Sequence, residues 1–159
     1  MVRLVFYKPE DYTDLTKYDL DEQQNQFTAM PKSTLEVIKE KNMGNKFPIT
    51  IFYDDKAVGF FVLDFGEDKF ELTENEISTL LRSLSLNPEY QGKRIGKTAM
   101  MLLPDFLKTE FPKCDEVVLA VNFNNKTAYD LYLKCGFEDD GKTREMSKGR
   151  QHLLSKKMK

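Results

Sequence analysis

The feature that most constrains this chain is the junction between a strand-like run and a helix-like run at residues 87–98. It reads Asn-Pro-Glu-Tyr-Gln-Gly-Lys-Arg-Ile-Gly-Lys-Thr. The start of a helix exposes unpaired N–H groups and carries a partial positive charge, and glycines let a ligand approach the backbone there. Lys93, Arg94 and Lys97 add full positive charges. The junction therefore predicts a cradle for an anion, with a phosphate or a pyrophosphate as the expected ligand.

Two nucleotide-binding motifs with glycine-rich loops do not fit this junction. A P-loop requires Gly-x-x-x-x-Gly-Lys-Ser/Thr, and residues 92–98 are one residue short of that spacing. A dinucleotide-binding loop requires Gly-x-Gly-x-x-Gly directly after an early strand, which this sequence lacks. The alternative that remains is a tight strand-to-helix turn whose basic side chains are only solvated.

Composition places the chain among soluble globular proteins. Its 159 residues are 40% hydrophobic and 31% charged, which suits one domain covering residues 1–159. The net charge of −2 does not favour a nucleic-acid partner. Because no apolar run approaches the roughly 20 residues that span a bilayer, we expect a cytoplasmic protein without a membrane partner. Two cysteines and one histidine form no metal-ligand pattern, so no metal is expected.

Hydrophobic periodicity predicts an alternation of strands and helices, which indicates a mixed α/β (α+β) sheet with helices on its faces. A helix is expected from a capping box at Ser33 and Glu36 to near Gly44, and Pro104 predicts a kink or an early end of a later helix. The expected strands are 2–7, 47–53, 56–63, 77–86 and 116–121, with a final strand or hairpin reaching 157. The other expected helices are 11–18, 95–111 and 127–135, and 66–73 is a polar loop.

Two stretches resemble the GNAT superfamily of acyl-CoA-dependent N-acetyltransferases. Residues 84–96, Leu-Ser-Leu-Asn-Pro-Glu-Tyr-Gln-Gly-Lys-Arg-Ile-Gly, are similar to that family's central strand and its Gln/Arg-x-x-Gly-x-Gly/Ala pyrophosphate loop. Residues 121–137, Val-Asn-Phe-Asn-Asn-Lys-Thr-Ala-Tyr-Asp-Leu-Tyr-Leu-Lys-Cys-Gly-Phe, are similar to its Asn-x-x-Ala-x-x-Leu-Tyr-x-x-x-Gly-Phe motif. The resemblance implies a mixed, mostly antiparallel sheet of about six or seven strands flanked by about four helices.

The resemblance also implies acetyl-CoA as cosubstrate and a set of residues that bind it. Backbone groups of Leu84 and Leu86 would pair with the pantetheine arm as an added strand does. Asn125 would bind the same arm from the following helix, and Tyr132 would lie near the sulfur. The pyrophosphate would lie on the N–H groups of Gln91, Gly92, Lys93, Arg94, Ile95, Gly96 and Lys97.

The implied reaction is direct transfer of an acetyl group to a primary amine in a ternary complex. Tyr132 would protonate the leaving thiolate as general acid, and the N–H of Leu84 would bind the developing oxyanion. Core packing is the alternative role for Tyr132, which shares a helical face with apolar residues, and helix capping is the alternative for Asn125. An acylated Cys135 is not expected, because no histidine is placed as its base.

Other features of the sequence leave several questions open. Arg94 replaces the first glycine of the family's loop, which costs about 1 kcal/mol if that backbone is left-handed and nothing if it is helical. An inward-facing Arg82 would need a partner, as a site residue or in a buried ion pair. Glu71, Glu74 and Glu76 are candidates for the general base, with surface solvation as the alternative for each.

The acceptor is expected to be a small amine. Six carboxylates within residues 10–22 would form an acidic wall for a cationic amine, with Tyr12, Tyr18 and Phe27 as stacking partners. The layout around residues 23–27 and 81–82 resembles bacterial spermine/spermidine-type acetyltransferases, which favours a polyamine. Protein N-termini, amino sugars and amino acids stay open, as does a homodimer. An acyl-CoA-binding sensor or interaction module without turnover is the alternative function.

Overall fold

The computed structural model describes residues 1–20, 31–41 and 44–158. Its strands are β1 (Val2–Phe6), β2 (Lys46–Tyr53), β3 (Lys56–Asp64), β4 (Ser78–Leu86), β5 (Glu116–Asn122), β6 (Glu138–Met146) and β7 (Gly149–Lys157). Its α-helices are α1 (Tyr12–Thr16), α2 (Pro31–Glu40), α3 (Ile95–Glu110) and α4 (Lys126–Lys134).

The seven strands form one sheet in the order β1-β2-β3-β4-β5-β7-β6. Neighbouring strands pair antiparallel except β4 and β5, which pair parallel. The expected mixed, mostly antiparallel sheet with about four helices is thereby confirmed. Within the described residues, no helix combines the length and the apolar character that a membrane span requires.

Local sequence signals explain several boundaries. Asp54, in the left-handed region at φ 53°, makes the turn of the predicted β2–β3 hairpin. Gly136, at φ 93°, ends α4: its N–H donates to the carbonyl of Leu133, and the N–H of Phe137 donates to that of Tyr132. This pair of bonds is a Schellman motif, which satisfies the last carbonyls of the helix.

Two sequence predictions were wrong in detail, and one of the two alternatives for Pro104 is excluded. Ser33 lies inside α2, which already includes Pro31, so Ser33 does not cap that helix. Residues 66–73 contain a 3₁₀ helix at Glu67–Glu71, whose buried Lys69 donates to the carbonyls of Glu76 and Ser78. Pro104 does not end α3 early, because the helix continues to Glu110 around a packed apolar face.

The sheet has a core on each face because strand side chains alternate. Phe61 faces α3 and α4, and it belongs to the larger core together with Met100 of α3 and Tyr132 of α4. Phe60 faces the other way and packs with Leu15 of α1 and with α2. The helices that carry the predicted cofactor residues and those of the N-terminal segment therefore lie on opposite faces.

The parallel pairing of β4 and β5 is short. It joins Ser78 to Glu116, Thr79 to Val117 and Leu80 to Val118. The two strands separate after these pairs while β4 stays paired to β3 through Leu86. Separation of two central strands opens the sheet in its middle, and this opening positions the site.

Candidate active site

The opening between β4 and β5 is a cavity of about 980 Å³. Its walls are the second half of β4, the end of β5, the loop before α3, and the first turns of α3 and α4. The predicted site residues that line it are Leu84, Leu86, Gln91, Gly92, Arg94, Ile95, Gly96, Lys97, Asn125 and Tyr132. Lys93 does not line it; its ammonium group lies 5.5 Å from the centre of the Tyr90 ring.

The edge of β4 that faces the cavity presents backbone groups. The N–H of Asn87 donates to the carbonyl of Val58 on β3 at 2.7 Å, so the N–H of the preceding Leu86 points the opposite way, into the opening. The carbonyl of Leu86 accepts from Nε2 of Gln91 at 3.0 Å. Leu86 therefore offers an N–H rather than the complete pair of backbone groups that sequence predicted.

A β-bulge interrupts β4 beside the cavity. Arg82 pairs with Val62 and Ser85 with Phe60, so Ser83 and Leu84 together oppose the single residue between them on β3. Ser83 is left-handed, with φ 62°. A bulge re-aims backbone and side chains where it occurs, and here it turns the Leu84 segment at the point where the strands part. No glycine or other local signal in residues 78–86 indicates this bulge.

The anion cradle that the sequence predicts lies at the start of α3. Gly92 has φ 77°, and Arg94, the residue before the helix, has φ 63° and makes no capping hydrogen bond with its side chain. Of the two alternatives for Arg94, the left-handed backbone is the one present. It costs about 1–2 kcal/mol of stability in a residue that is not glycine. A Cβ atom on Gly96 would come no closer than 3.9 Å, to Cδ2 of Leu131. The backbone at the helix start is thus open to the cavity.

Asn125 begins α4 and lines the same cavity. Its Oδ1 accepts a hydrogen bond from the N–H of Ala128 at 3.3 Å, which makes it the N-cap. The capping role is therefore present. Its Nδ2 has no hydrogen-bond partner among the described residues, so the side chain retains N–H donors that could bind a ligand.

Tyr132 is a buried residue of the cavity lining that carries a hydroxyl. Its side chain is 7% exposed, and its ring packs at 5.5 Å from the ring of Phe137. In the part of the chain that the structure describes, its hydroxyl has no hydrogen-bond partner. Burial raises the pKa of this hydroxyl well above its usual value, with the nearby Cys135 as a smaller cause. A buried hydroxyl without a partner is costly, so this one fits an atom of a bound ligand.

Cys135 lacks the surroundings of a nucleophile. It is 1% exposed, and its Sγ contacts the carbonyl of Lys97 at 3.8 Å. Burial raises the pKa of the thiol, although Lys156 and Lys97 oppose that effect. A buried thiol with a raised pKa holds little thiolate at neutral pH.

The opposite side of the opening carries polar groups that the sequence analysis did not place. Arg82 lines the cavity, and its Nη1 donates to Oδ2 of Asp64 and to Oδ2 of Asp68, both at 3.0 Å. Ser85 also lines it, with its Oγ 3.1 Å from the hydroxyl of Tyr18. Burial raises the pKa of Tyr18 to about 12. Serines inside an otherwise apolar strand were the signal for these contacts.

The predicted acidic wall is only partly described. The carboxylate of Asp11 is buried and accepts from the N–H of Lys8 and from Thr50 Oγ1. Asp14 pairs with Lys17. Tyr12 donates to Glu36 at 3.0 Å. Asp21, Glu22, Phe27 and residues 23–26 lie outside the described residues.

The three candidate bases lie away from the cavity. Glu71 pairs with Arg144 at 3.2 Å, and Glu74 and Glu76 are exposed on the segment before β4. Among the described residues, the one carboxylate that lines the cavity is Asp130 of α4.

Comparison with known proteins decides the family. Residues 10–137 match the Acetyltransferase (GNAT) family. The chain belongs to the GNAT acetyltransferase family. The resemblance carried by the loop and by the α4 motif is thereby confirmed, and the activity it implies, acetyl transfer to an amine, is that of an N-acetyltransferase.

Two curated relatives of this GNAT protein come from Bacillus subtilis strain 168. An uncharacterized N-acetyltransferase, YbbJ, is 39% identical over 96% of this chain and 95% of its own length. A spermine/spermidine N(1)-acetyltransferase is 28% identical over 77% of this chain and 80% of its own length.

Solved structures share the GNAT fold at low identity. Spermidine N-acetyltransferase from Vibrio cholerae, in complex with CoA and spermine, has a TM-score of 0.75 at 15% identity and covers 99% of this chain and 95% of that one. Aminoglycoside acetyltransferase AAC(6')-Ib, in complex with coenzyme A, has a TM-score of 0.76 at 17% identity, with coverage of 99% and 95%.

Proposed function

We propose that this GNAT protein moves an acetyl group from acetyl-CoA to a small primary amine by direct attack in a ternary complex. One observation carries the proposal: a single opening in the sheet collects strand N–H groups, an uncapped helix start and the unpartnered hydroxyl of Tyr132. The first two suit an extended amide chain that ends in a pyrophosphate. The third suits a leaving group that takes a proton.

The residues of the opening fit coenzyme A in three parts. The N–H groups of Gly92 and of residues 94–97, together with the side chains of Arg94 and Lys97, hold the pyrophosphate. The N–H of Gln91 already donates to the carbonyl of Pro88, and Lys93 does not line the cavity. The N–H groups of Leu84 and Leu86 bind the pantetheine arm along the free edge of β4. The amide of Asn125 donates to the same arm from α4. Acetyl-CoA supplies the thioester carbonyl that an amine attacks.

Two groups of the chain act on the reacting atoms in this proposal. The N–H of Leu84, re-aimed by the bulge at Ser83, donates to the carbonyl oxygen as negative charge develops on it. As the new C–N bond forms and the C–S bond breaks, Tyr132 donates its proton to the departing sulfur. The amine releases its proton to water, and Tyr132 regains one from solvent. Because its pKa is raised, Tyr132 is fully protonated at neutral pH.

The acceptor class is the finer part of the proposal. The name of the spermine/spermidine relative supports a polyamine. The described lining of the cavity does not add to that support, because cations exceed carboxylates there. The cationic lining residues are Arg82, Arg94, Lys97, Lys134 and Lys148, against Asp130 alone.

The experiment separates an enzyme from an acyl-CoA sensor. The protein is incubated with acetyl-CoA and a panel of primary amines, and free thiol and the mass of each amine are followed. Thiol release coupled to the mass gain of one acetyl group on the amine supports the proposal. Binding of CoA in calorimetry without turnover by any amine supports the sensor, and absence of CoA binding overturns both.

Three further expectations stay predictions. A homodimer is checked by sedimentation, a single cooperative domain over residues 1–159 by urea unfolding, and a cytoplasmic location by fractionation of the source cells.

A further inference from the structure

Arg82 brings a positive charge to the side of the cavity that faces away from α3 and α4. It lies on β4 directly before the bulge, and its side chain is 42% exposed. Its Nη1 donates to the carboxylates of both Asp64 and Asp68. Its Nε and Nη2 have no partner among the described residues, so one edge of the guanidinium remains available for a bidentate contact.

The two partners of Arg82 differ in burial. Asp64 is fully buried, and its other oxygen, Oδ1, accepts from the N–H of Gly66 at 2.8 Å. Lys46 lies 3.7 Å from the Oδ2 of Asp64. Asp68 is 55% exposed, on the 3₁₀ helix Glu67–Glu71. Asp64 therefore anchors the guanidinium against the sheet, whereas Asp68 is a solvated counterion that a ligand can replace.

A second arginine approaches the same 3₁₀ helix. Arg144 of β6 pairs with Glu71 at 3.2 Å and donates from Nε to Oε1 of Gln151, which lines the cavity. Asp68 and Glu71 are three residues apart on a 3₁₀ helix, so they share one face at a spacing of about 6 Å. Asp68 and Glu71 are thus each paired with an arginine, and the third carboxylate of this helix, Glu67, is exposed and does not line the cavity.

This part of the cavity wall is cationic. Outside α3, α4 and the loop before α3, the charged side chains that line the cavity among the described residues are Arg82 and Lys148. We infer that the acceptor is a primary amine that also carries a carboxylate, an amino acid or a close analogue, and that Arg82 binds this carboxylate. The inference rests on the proposed acetyl transfer and names the acceptor class of that reaction.

The test uses acceptors of equal length that differ in one group. ω-Amino acids of two to six carbons are compared with their carboxamides and with the matching α,ω-diamines, and kcat/KM is measured from thiol release. We expect the carboxylates to exceed both other series by at least tenfold. A preference for the diamines or for the carboxamides overturns the inference and leaves the acetyl transfer standing. If no amine is acetylated, both fail.

Two variants then assign the effect to Arg82. Arg82→Gln should lower kcat/KM for the carboxylates by about 10- to 100-fold, mainly through KM, because a charge-assisted bidentate contact is lost. The carboxamides should change little, and CoA affinity should not change. The kcat/KM of Arg82→Lys for the carboxylates should lie between the values of wild type and Arg82→Gln, because lysine keeps the charge but cannot make the bidentate contact.

Asp68→Asn is the converse variant and leaves the cavity lining intact. Removal of the competing carboxylate should lower the KM of the carboxylate acceptors about two- to fivefold. It decides the question even if Arg82→Gln does not fold. A purely structural ion pair would instead make Asp68→Asn affect every acceptor alike, and that result would overturn the inference.

Discussion

The hydroxyl of Tyr18 lies 3.1 Å from the Oγ of Ser85, and this contact ties the chain beyond α1 to the half of β4 that borders the cavity. Both side chains are buried, Tyr18 at 6% and Ser85 at 5% exposure. Ser85 directly precedes Leu86, whose N–H faces the opening. The contact therefore links the first segment of the chain to the strand edge that we propose binds the pantetheine arm.

Tyr18→Phe should lower stability at pH 8 and flatten its alkaline decline. The lost hydrogen bond leaves Ser85 buried without its partner, at a cost of about 1–2 kcal/mol. Burial raises the pKa of Tyr18 from its usual value of about 10 to about 12, so the native state holds this proton more tightly than the unfolded state. The stabilisation is complete below about pH 10 and is lost as the pH rises toward 12.

Urea unfolding at pH 8 and at pH 10.5 to 11 measures this effect in the wild type and in the variant. Wild type should lose more free energy of unfolding between the two conditions than Tyr18→Phe does. Ser85→Ala serves as the control, since it removes the same bond and keeps the titrating hydroxyl. An equal alkaline decline in all three proteins would contradict the assignment.

Tyr132→Phe should lower kcat by about 10²-fold or more with little change in CoA affinity, because general-acid catalysis of that size is lost while the ring still packs. Tyr129→Phe is the matched control on the same helix. The Tyr129 hydroxyl donates to Asp139 at 2.7 Å, and Tyr129 does not line the cavity. Because burial raises the pKa of Tyr132, the wild type should keep full kcat up to about pH 10. A Phe variant at full speed would leave Tyr132 as packing only.

Gly96→Asp should weaken CoA binding by about tenfold or more, because it adds a negative charge at the helix start where the pyrophosphate is proposed to lie. Gly96→Ala and Gly96→Asn separate charge from bulk. A Cβ at this position meets Cδ2 of Leu131 at 3.9 Å, which is ordinary contact, so the Ala variant should fold and bind nearly as wild type does. Titration calorimetry with CoA measures all three. Equal affinity of the Asp and Asn variants would contradict an anion site here.

Arg94→Gly should raise the free energy of unfolding by about 0.5–1 kcal/mol, because glycine adopts the left-handed backbone at φ 63° without strain. It should also weaken CoA binding several-fold if the guanidinium contacts a phosphate. Ser83→Gly is the control, since Ser83 has φ 62° but belongs to the β-bulge rather than to the cradle. Ser83→Gly should raise the free energy of unfolding, and it should not weaken CoA binding because it removes no charge. A lower free energy of unfolding for Arg94→Gly would show that packing of the Arg94 side chain outweighs the strain of its left-handed backbone.

Much of the fold followed from periodicity and capping signals. The β2–β3 hairpin, β4, β5, α3 and α4 lie within a few residues of their predicted bounds, because each has a strong local pattern and its own turn residues. Ser33 failed as a helix cap because a capping box is a two-residue signal, and α2 is set by the apolar side that packs Leu35 against Phe60 and Val62. Pro104 does not end α3, because Met100, Leu103 and Leu107 of the same helix pack into the core on both sides of it.

The sequence by itself determined the family and the residues of the proposed anion cradle, because the glycines and basic residues of a helix start occupy consecutive positions. It did not determine which groups face each other across the opening. Three contacts were found only in the tertiary structure. They are the ion pairs of Arg82 with Asp64 and Asp68, the contact of Tyr18 with Ser85, and the hydrogen bond from Gln91 to the Leu86 carbonyl. The physical reason is the separation of β4 and β5 after three paired residues. It depends on how the whole sheet twists and packs, and no local run of residues encodes it.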